Sequence, residues 1–279
     1  MTGAETTSFP DRYGPWAVVL GASHGIGASF ARQIAERDVN VVMVARPEDG
    51  LAAAAAEVRT ETGVEIRPLE IDLTAPDMLG DLVAGTEDLD VGLVAYVAGG
   101  TDAVGRFVEG PAARPELIVR LNCLGPVQVC HHFGRRLLER GRGGIVLISS
   151  LAGVSGTAWT VTYSAAKAFD LVLAEGLWAE LNPSGIDVVG LVLGNVRTPT
   201  LIGSGVTFDP DDFPGMEPDD VAREGLDHLR DGPMWVVGDD NRALYDALRT
   251  LPRVDAVNAM SAGVRMQYGF NEEDRRRGR

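Results

Sequence analysis

Short apolar runs alternate with longer amphipathic stretches along most of the chain. The runs at 17–20, 41–45, 91–98, 145–149 and 188–193 are nearly continuous in Ala, Val, Leu and Ile, and 66–71 alternates apolar with polar. These predict six strands. A strand with no polar face is one buried on both sides, the habit of parallel sheets. Between them, 28–36, 51–59, 78–84, 111–140 and 163–181 carry a helical pattern. Regular β-α repetition predicts an α/β fold, a doubly wound central parallel sheet with helices on both faces in three layers.

Two places break the rhythm. Pro126 falls inside the long helical stretch, four residues after Asn122. A proline there has no N–H for the Asn122 carbonyl, so the stretch is expected to kink and leave that carbonyl able to bind water. Residues 198–218 hold Pro199, Gly203, Gly205, Pro210, Pro214, Gly215 and Pro218 among apolar side chains. A loop this long inside a compact domain predicts a functional segment. The expected organisation is an N-terminal extension (1–14), one domain (15–265) that includes the loop 198–218, and a C-terminal tail (266–279).

Two motifs carry candidate chemistry. Gly21, Gly25 and Gly27 stand between the first strand and the first long helix. Strand, glycine turn, helix is the setting of a dinucleotide site, where a backbone free of Cβ atoms approaches a pyrophosphate at a helix N-terminus. Further on, Tyr163 and Lys167 are four residues apart, on one face of a helix, and Ser150 lies thirteen residues before the tyrosine. An ammonium beside a phenol stabilises the phenolate, and a phenol so placed can exchange a proton with an alcohol or carbonyl oxygen. Ser149 competes with Ser150, but neighbours on a strand face opposite ways.

Taken in order, Gly21-x-x-x-Gly25-Ile26-Gly27, Asp72-Leu73, Ala98-Gly99, Asn122, Ser150, Tyr163-x-x-x-Lys167 and Gly194-x-Val196-x-Thr198 resemble the short-chain dehydrogenase/reductase family over residues 15–240. The stretches around Gly21, Val41 and Ile148 look most like the branch of 3-ketoacyl reductases and 11- and 17-hydroxysteroid dehydrogenases. The resemblance implies a Rossmann fold and a catalytic tetrad of Asn122, Ser150, Tyr163 and Lys167. It implies cofactor contacts from Gly21, Ser23, His24, Gly25, Ile26, Gly27, Asp72, Leu73, Ala98, Gly99, Gly100, Gly194, Val196 and Thr198, and from Tyr163 and Lys167 themselves. It makes 198–218 the cover over the substrate. Arg46 ends the second strand, where an arginine suits the 2′-phosphate of NADP(H) and an acid would suit NAD(H). NADP(H) is therefore the expected cofactor, with NAD(H) possible and Glu48 and Asp49 a counter-signal. Tyr96-Val97 stands where the family usually has two asparagines.

Composition narrows the rest. The net charge of −15 and the lack of a basic stripe argue against nucleic acid. The run Arg275–Arg277 and Arg279 follows Glu272, Glu273 and Asp274 and reads as a solvated tail. The uncharged span 143–166 is too rich in Ser, Thr and Gly to predict a membrane helix. Cys123 and Cys130 are seven residues apart on one predicted helix, too far for a disulfide, and suit a cytoplasmic protein. His131 and His132 are adjacent, so no metal site is expected. The expected function is ketone–alcohol interconversion on a small hydrophobic substrate, by a homodimer or homotetramer. The alternative is a nucleotide-binding regulator without turnover, which the intact tetrad disfavours.

Overall fold

The computed structural model describes residues 7–100, 104–209 and 213–270. Seven parallel strands form one sheet: β1 (Trp16–Leu20), β2 (Asn40–Ala45), β3 (Ile66–Glu70), β4 (Val91–Tyr96), β5 (Gly143–Ser150), β6 (Ile186–Leu193) and β7 (Met234–Val236). Their order is β3-β2-β1-β4-β5-β6-β7. The chain moves outward one way from β1, then returns to its other side at β4. That reversal opens a crevice at the C-terminal ends of β1 and β4, the usual ligand position in such sheets. Strands β1, β4 and β6 are buried at every position, as their unbroken apolar runs require.

Helices cover both faces. On one lie α2 (Gly25–Ala35), α3 (Leu51–Thr62) and α9 (Pro218–Asp227), packed through Phe30, Ile34, Ala55 and Val221. On the other lie α4 (Met78–Ala84), α6 (Gly125–Arg140) and α7 (Val161–Leu181), packed through Leu82, Phe133, Leu137 and Ala174. Two apolar layers therefore sandwich the sheet.

The stretch expected as one helix over 111–140 is three pieces. Helix α5 (Ala113–Val119) widens into a π-turn over Arg120–Leu124 before α6 begins, and the Gly125 N–H donates to Arg120 five residues back. Pro126 then occupies the first turn of α6, where its missing N–H costs little. Asn122 lies in the middle of the π-turn.

The ends of the domain are more built than their sequence suggests. Within the expected N-terminal extension, α1 (Phe9–Tyr13) packs against the sheet, and buried Tyr13 donates to Asp187 at 2.7 Å. Arg12 forks onto both oxygens of the same carboxylate. At the far end, α10 (Asp239–Thr250) and α11 (Arg253–Gln267) follow β7, and the chain remains structured to Phe270. Residues 1–6 of the extension, 210–212 of the long loop, and the basic run 275–279 lie outside the described residues.

Candidate active site

A cavity of about 480 Å³ follows the crevice from the glycine turn to α7. At one end is the turn itself. Gly21 has φ +86°, and a Cβ there would lie 2.7 Å from the Ala98 backbone. A Cβ on Gly27 would come within 1.9 Å of the Gly21 carbonyl, so α2 starts closer to β1 than any side chain allows. No side chain caps the N-terminus of α2, which leaves its first amides turned to the cleft. His24 joins Ser23 through Nδ1 and Thr200 through Nε2, both at 2.9 Å. The glycine turn is thereby linked to α8 (Pro199–Ile202), the first element of the long loop.

Beyond the turn, Arg46 and Asp72 mark the far end of the cavity. The Arg46 guanidinium forms a two-bond fork with Asp49, both contacts at 3.1 Å, and lies 3.5 Å from Glu48. Asp72 accepts from the Thr74 amide and hydroxyl at 2.8 and 2.7 Å. Ala98, Gly99 and Gly100 form the floor after β4, and Gly194, Val196 and Thr198 the wall after β6, with Leu73 and Ile26 between the ends.

Ser150, Tyr163 and Lys167 line the other end together. Ser150 terminates β5, and its Oγ accepts from the Ala152 amide at 3.2 Å, leaving its proton to donate. Ser149 points away and donates to the Lys167 carbonyl at 2.6 Å, which fixes β5 to α7. Lys167, only 4 % exposed, donates to the Ile148 carbonyl at 2.8 Å and to Asp170 at 2.9 Å, with its ammonium 5.9 Å from the Tyr163 ring centre.

Asn122 is fully buried behind this group. Its amide nitrogen donates to Ile118 at 3.0 Å, while Oδ1 has no partner among the described residues. A Cβ at Gly99 would lie 2.7 Å from that Oδ1 and 3.1 Å from the Lys167 ammonium, so the glycine keeps open the space shared by the two. Tyr96 donates to the Leu121 carbonyl at 2.8 Å. It ties β4 to the π-turn, a structural task at the place where the sequence departs from the paired asparagines.

The long loop contributes Thr198, Thr200, Leu201 and Ser204 to the cavity wall. Its return is fixed by the parallel bridge between Val196 and Met216, and Phe213 is fully buried. Ser204 meets the Tyr268 hydroxyl at 3.1 Å, and Trp159 stacks on Phe270 at 5.2 Å. These contacts with the residues after α11 were not visible in the sequence pattern. Another signal was visible but went unread: Lys167 is the only lysine among 25 basic residues.

Residues 15–205 match the family model described as short chain dehydrogenase. The chain belongs to that family. It is 32 % identical over 250 residues to the 7beta-hydroxysteroid dehydrogenase of Clostridium sardiniense, covering 90 % of this chain and 95 % of the relative. A solved structure concerned with 7beta-hydroxysteroid dehydrogenase stereoselectivity superposes with a TM-score of 0.83 at 28 % identity, over 91 % of this chain and 99 % of the other. A short-chain dehydrogenase from Sphingobium yanoikuyae in complex with NADPH superposes with a TM-score of 0.75 at 33 % identity, over 84 % and 92 %. This family member is therefore a Rossmann-fold oxidoreductase that acts between CH–OH and C=O groups with NAD(P). No helix among the described residues is long and apolar enough to cross a membrane.

Proposed function

We propose that this oxidoreductase is NADP(H)-dependent and interconverts a ketone and a secondary alcohol on a steroid-sized hydrophobic substrate. The observation that carries the reading is that Ser150, Tyr163 and Lys167 line the same cleft as the glycine turn, with Arg46 and Asp72 beyond the turn. The cleft fits a dinucleotide. The closely packed Gly27 and the uncapped α2 amides suit a pyrophosphate, Asp72 an adenine, and Arg46 a 2′-phosphate. When bound, the nicotinamide supplies or accepts the hydride.

The chain's own residues handle the oxygen and its proton. Ser150 and Tyr163 donate hydrogen bonds to the substrate carbonyl, and Tyr163 delivers its proton as negative charge develops there. Lys167 stabilises the phenolate left behind. The Asn122 main-chain carbonyl, four residues before Pro126, offers an acceptor for a water that passes the proton onward from Lys167, beside an Oδ1 that is buried and without a partner among the described residues. The steroid-sized class is supported by the named relatives and by the apolar lining that Leu117, Leu193 and Leu201 give the cleft.

Tyr163→Phe tests the reading. It is expected to keep the fold and NADPH binding while kcat falls by at least about 100-fold, because the proton donor is gone. Retention of more than about a tenth of the rate would reject the assignment. A panel of hydroxysteroid ketones and acyl thioesters, each offered with NADPH and NADH, tests substrate and cofactor. Turnover of thioesters alone would remove the steroid-sized class.

A further inference from the structure

Asp170 lies one helical turn past Lys167, and on the surface of a helix such a pair would be an ordinary exposed contact. Here it is enclosed. Asp170 is 2 % exposed, its Oδ2 accepts from the Lys167 ammonium at 2.9 Å, and its Oδ1 is buried with no partner among the described residues. A half-satisfied buried ion pair is a poor means of stabilising a helix, and apolar side chains in place of both partners would pack there at no greater cost. What the carboxylate does achieve is specific to Lys167. An ammonium has three N–H donors. Asp170 and the Ile148 carbonyl take one each. The third is left for the space beside Gly99, which Asn122 Oδ1 also faces.

We propose that Asp170 is a positioning residue that keeps the chain's single lysine charged and aimed into the catalytic cleft. This rests on the tetrad reading given above and extends it by one residue. The electrostatics agree with the geometry. Burial, the largest influence, pushes the Lys167 ammonium toward losing its proton; the Asp170 charge and hydrogen bond, with smaller help from Tyr163 and Cys123, together outweigh it, so the pKa is raised above the ordinary lysine value. Burial raises the Asp170 carboxyl, and Lys167 pulls it back only in part. The other titratable groups facing the pair are Tyr163 on α7, Tyr96 on β4, Cys123 in the π-turn and Cys130 on α6. Burial raises Tyr96 and Cys123, and it pushes Cys130 up to about 12. None of these three carries charge near neutrality, which leaves Asp170 as the main partner that keeps Lys167 charged, ahead of Tyr163.

Removing the carboxylate has one direction of effect on ketone reduction. If Lys167 stays charged, its uncompensated field releases the phenolic proton more easily. If Lys167 loses its proton, the cleft loses its cation. In the first case the high-pH limit of reduction follows the phenol to lower pH; in the second it follows the lysine's own titration, which has moved to lower pH.

A single lysine permits a direct reading. Protein labelled with ¹³C,¹⁵N-lysine gives one Cε–Nζ correlation, whose shift reports the protonation of Lys167. In the wild type the ammonium is expected to persist past the free-lysine pKa of about 10.4. In Asp170→Asn its titration should move down by at least about one unit, and the high-pH limit of NADPH-dependent reduction should move down with it. Asp170→Glu, which keeps the charge, should restore both toward wild type. A folded Asp170→Asn with both titrations unmoved overturns the proposal, and if Tyr163→Phe is inactive in the same assays the catalytic reading survives. If wild type reduces no ketone, that reading fails, yet the lysine signal still tests the hold of Asp170. Should neither variant fold, a wild-type ammonium that titrates below the free-lysine value overturns the proposal.

Discussion

At the residue scale, the proposed NADP(H) preference turns on how Arg46 divides its hydrogen bonds. The guanidinium is 56 % exposed and already forked to Asp49. An exposed ion pair contributes about 0–1 kcal/mol, whereas a hydrogen bond to a charged group contributes about 1.5–3 kcal/mol. A 2′-phosphate therefore displaces the fork at a net gain. Arg46→Ala is expected to weaken NADPH by about 1.5–3 kcal/mol and leave NADH unchanged in equilibrium titration. Asp49→Asn, which loosens the fork and removes a like charge from the phosphate, should tighten NADPH a few-fold. Equal weakening of both cofactors in the arginine variant would mean that Arg46 does not read the phosphate. Glu48 and Asp49 were legible as a counter-signal, but only the fold shows that Asp49 occupies the guanidinium itself. Asp170 was not legible at all, because an aspartate three residues after a lysine looks the same in sequence whether the turn is exposed or enclosed.

At the scale of elements, strands whose apolar runs are continuous were predicted to within a few residues, since burial on both faces leaves no other reading of Val41–Val44 or Val188–Leu193. Strand β7 was missed. It has three residues, Met234–Val236, directly after Pro233, too short to show any period. Helices α9 to α11 lie beyond the long loop, where the sequence reading stopped assigning elements. The kink at Pro126 was expected, but its form was not. A π-turn depends on a bond five residues back, which no side-chain period records. That form changes the energetics. Because Pro126 sits in the first turn of α6, Pro126→Ala should alter stability by less than about 1 kcal/mol, not by the roughly 3 kcal/mol of an interior proline. The alanine N–H would face the Asn122 carbonyl and compete with water for it. A fall in kcat with an unchanged melting temperature is the expected outcome, and an unchanged kcat would remove that carbonyl from the proton path.

At the scale of the whole molecule, α5 to α7 present an apolar face that the described chain leaves uncovered. Leu124 and Leu138 stand fourteen residues apart along the π-turn and α6, and each is 44 % exposed. Beside them on α7, Phe169 and Val172 are 38 % and 65 % exposed. The opposite side of α7 carries Lys167 and Asp170, so the exposed face is not the catalytic one. With a net charge of −15, two copies repel at long range, and only a substantial apolar contact would hold them together. Exposed aliphatic side chains on neighbouring helices supply one, and a self-complementary patch of this kind is the usual basis of a two-fold dimer. The protein is therefore expected to be at least a dimer through α6 and α7, measurable as twice the 29.6 kDa chain mass in light scattering. Val172→Arg with Leu124→Arg would place like charges in that contact and should yield a monomer that keeps its fold by circular dichroism. Because Lys167 projects from the same helix, losing the partner should lower kcat or thermal stability as well as mass. A double variant that remains a dimer would exclude this face as the interface, and a wild-type monomer at micromolar concentration would exclude the assembly.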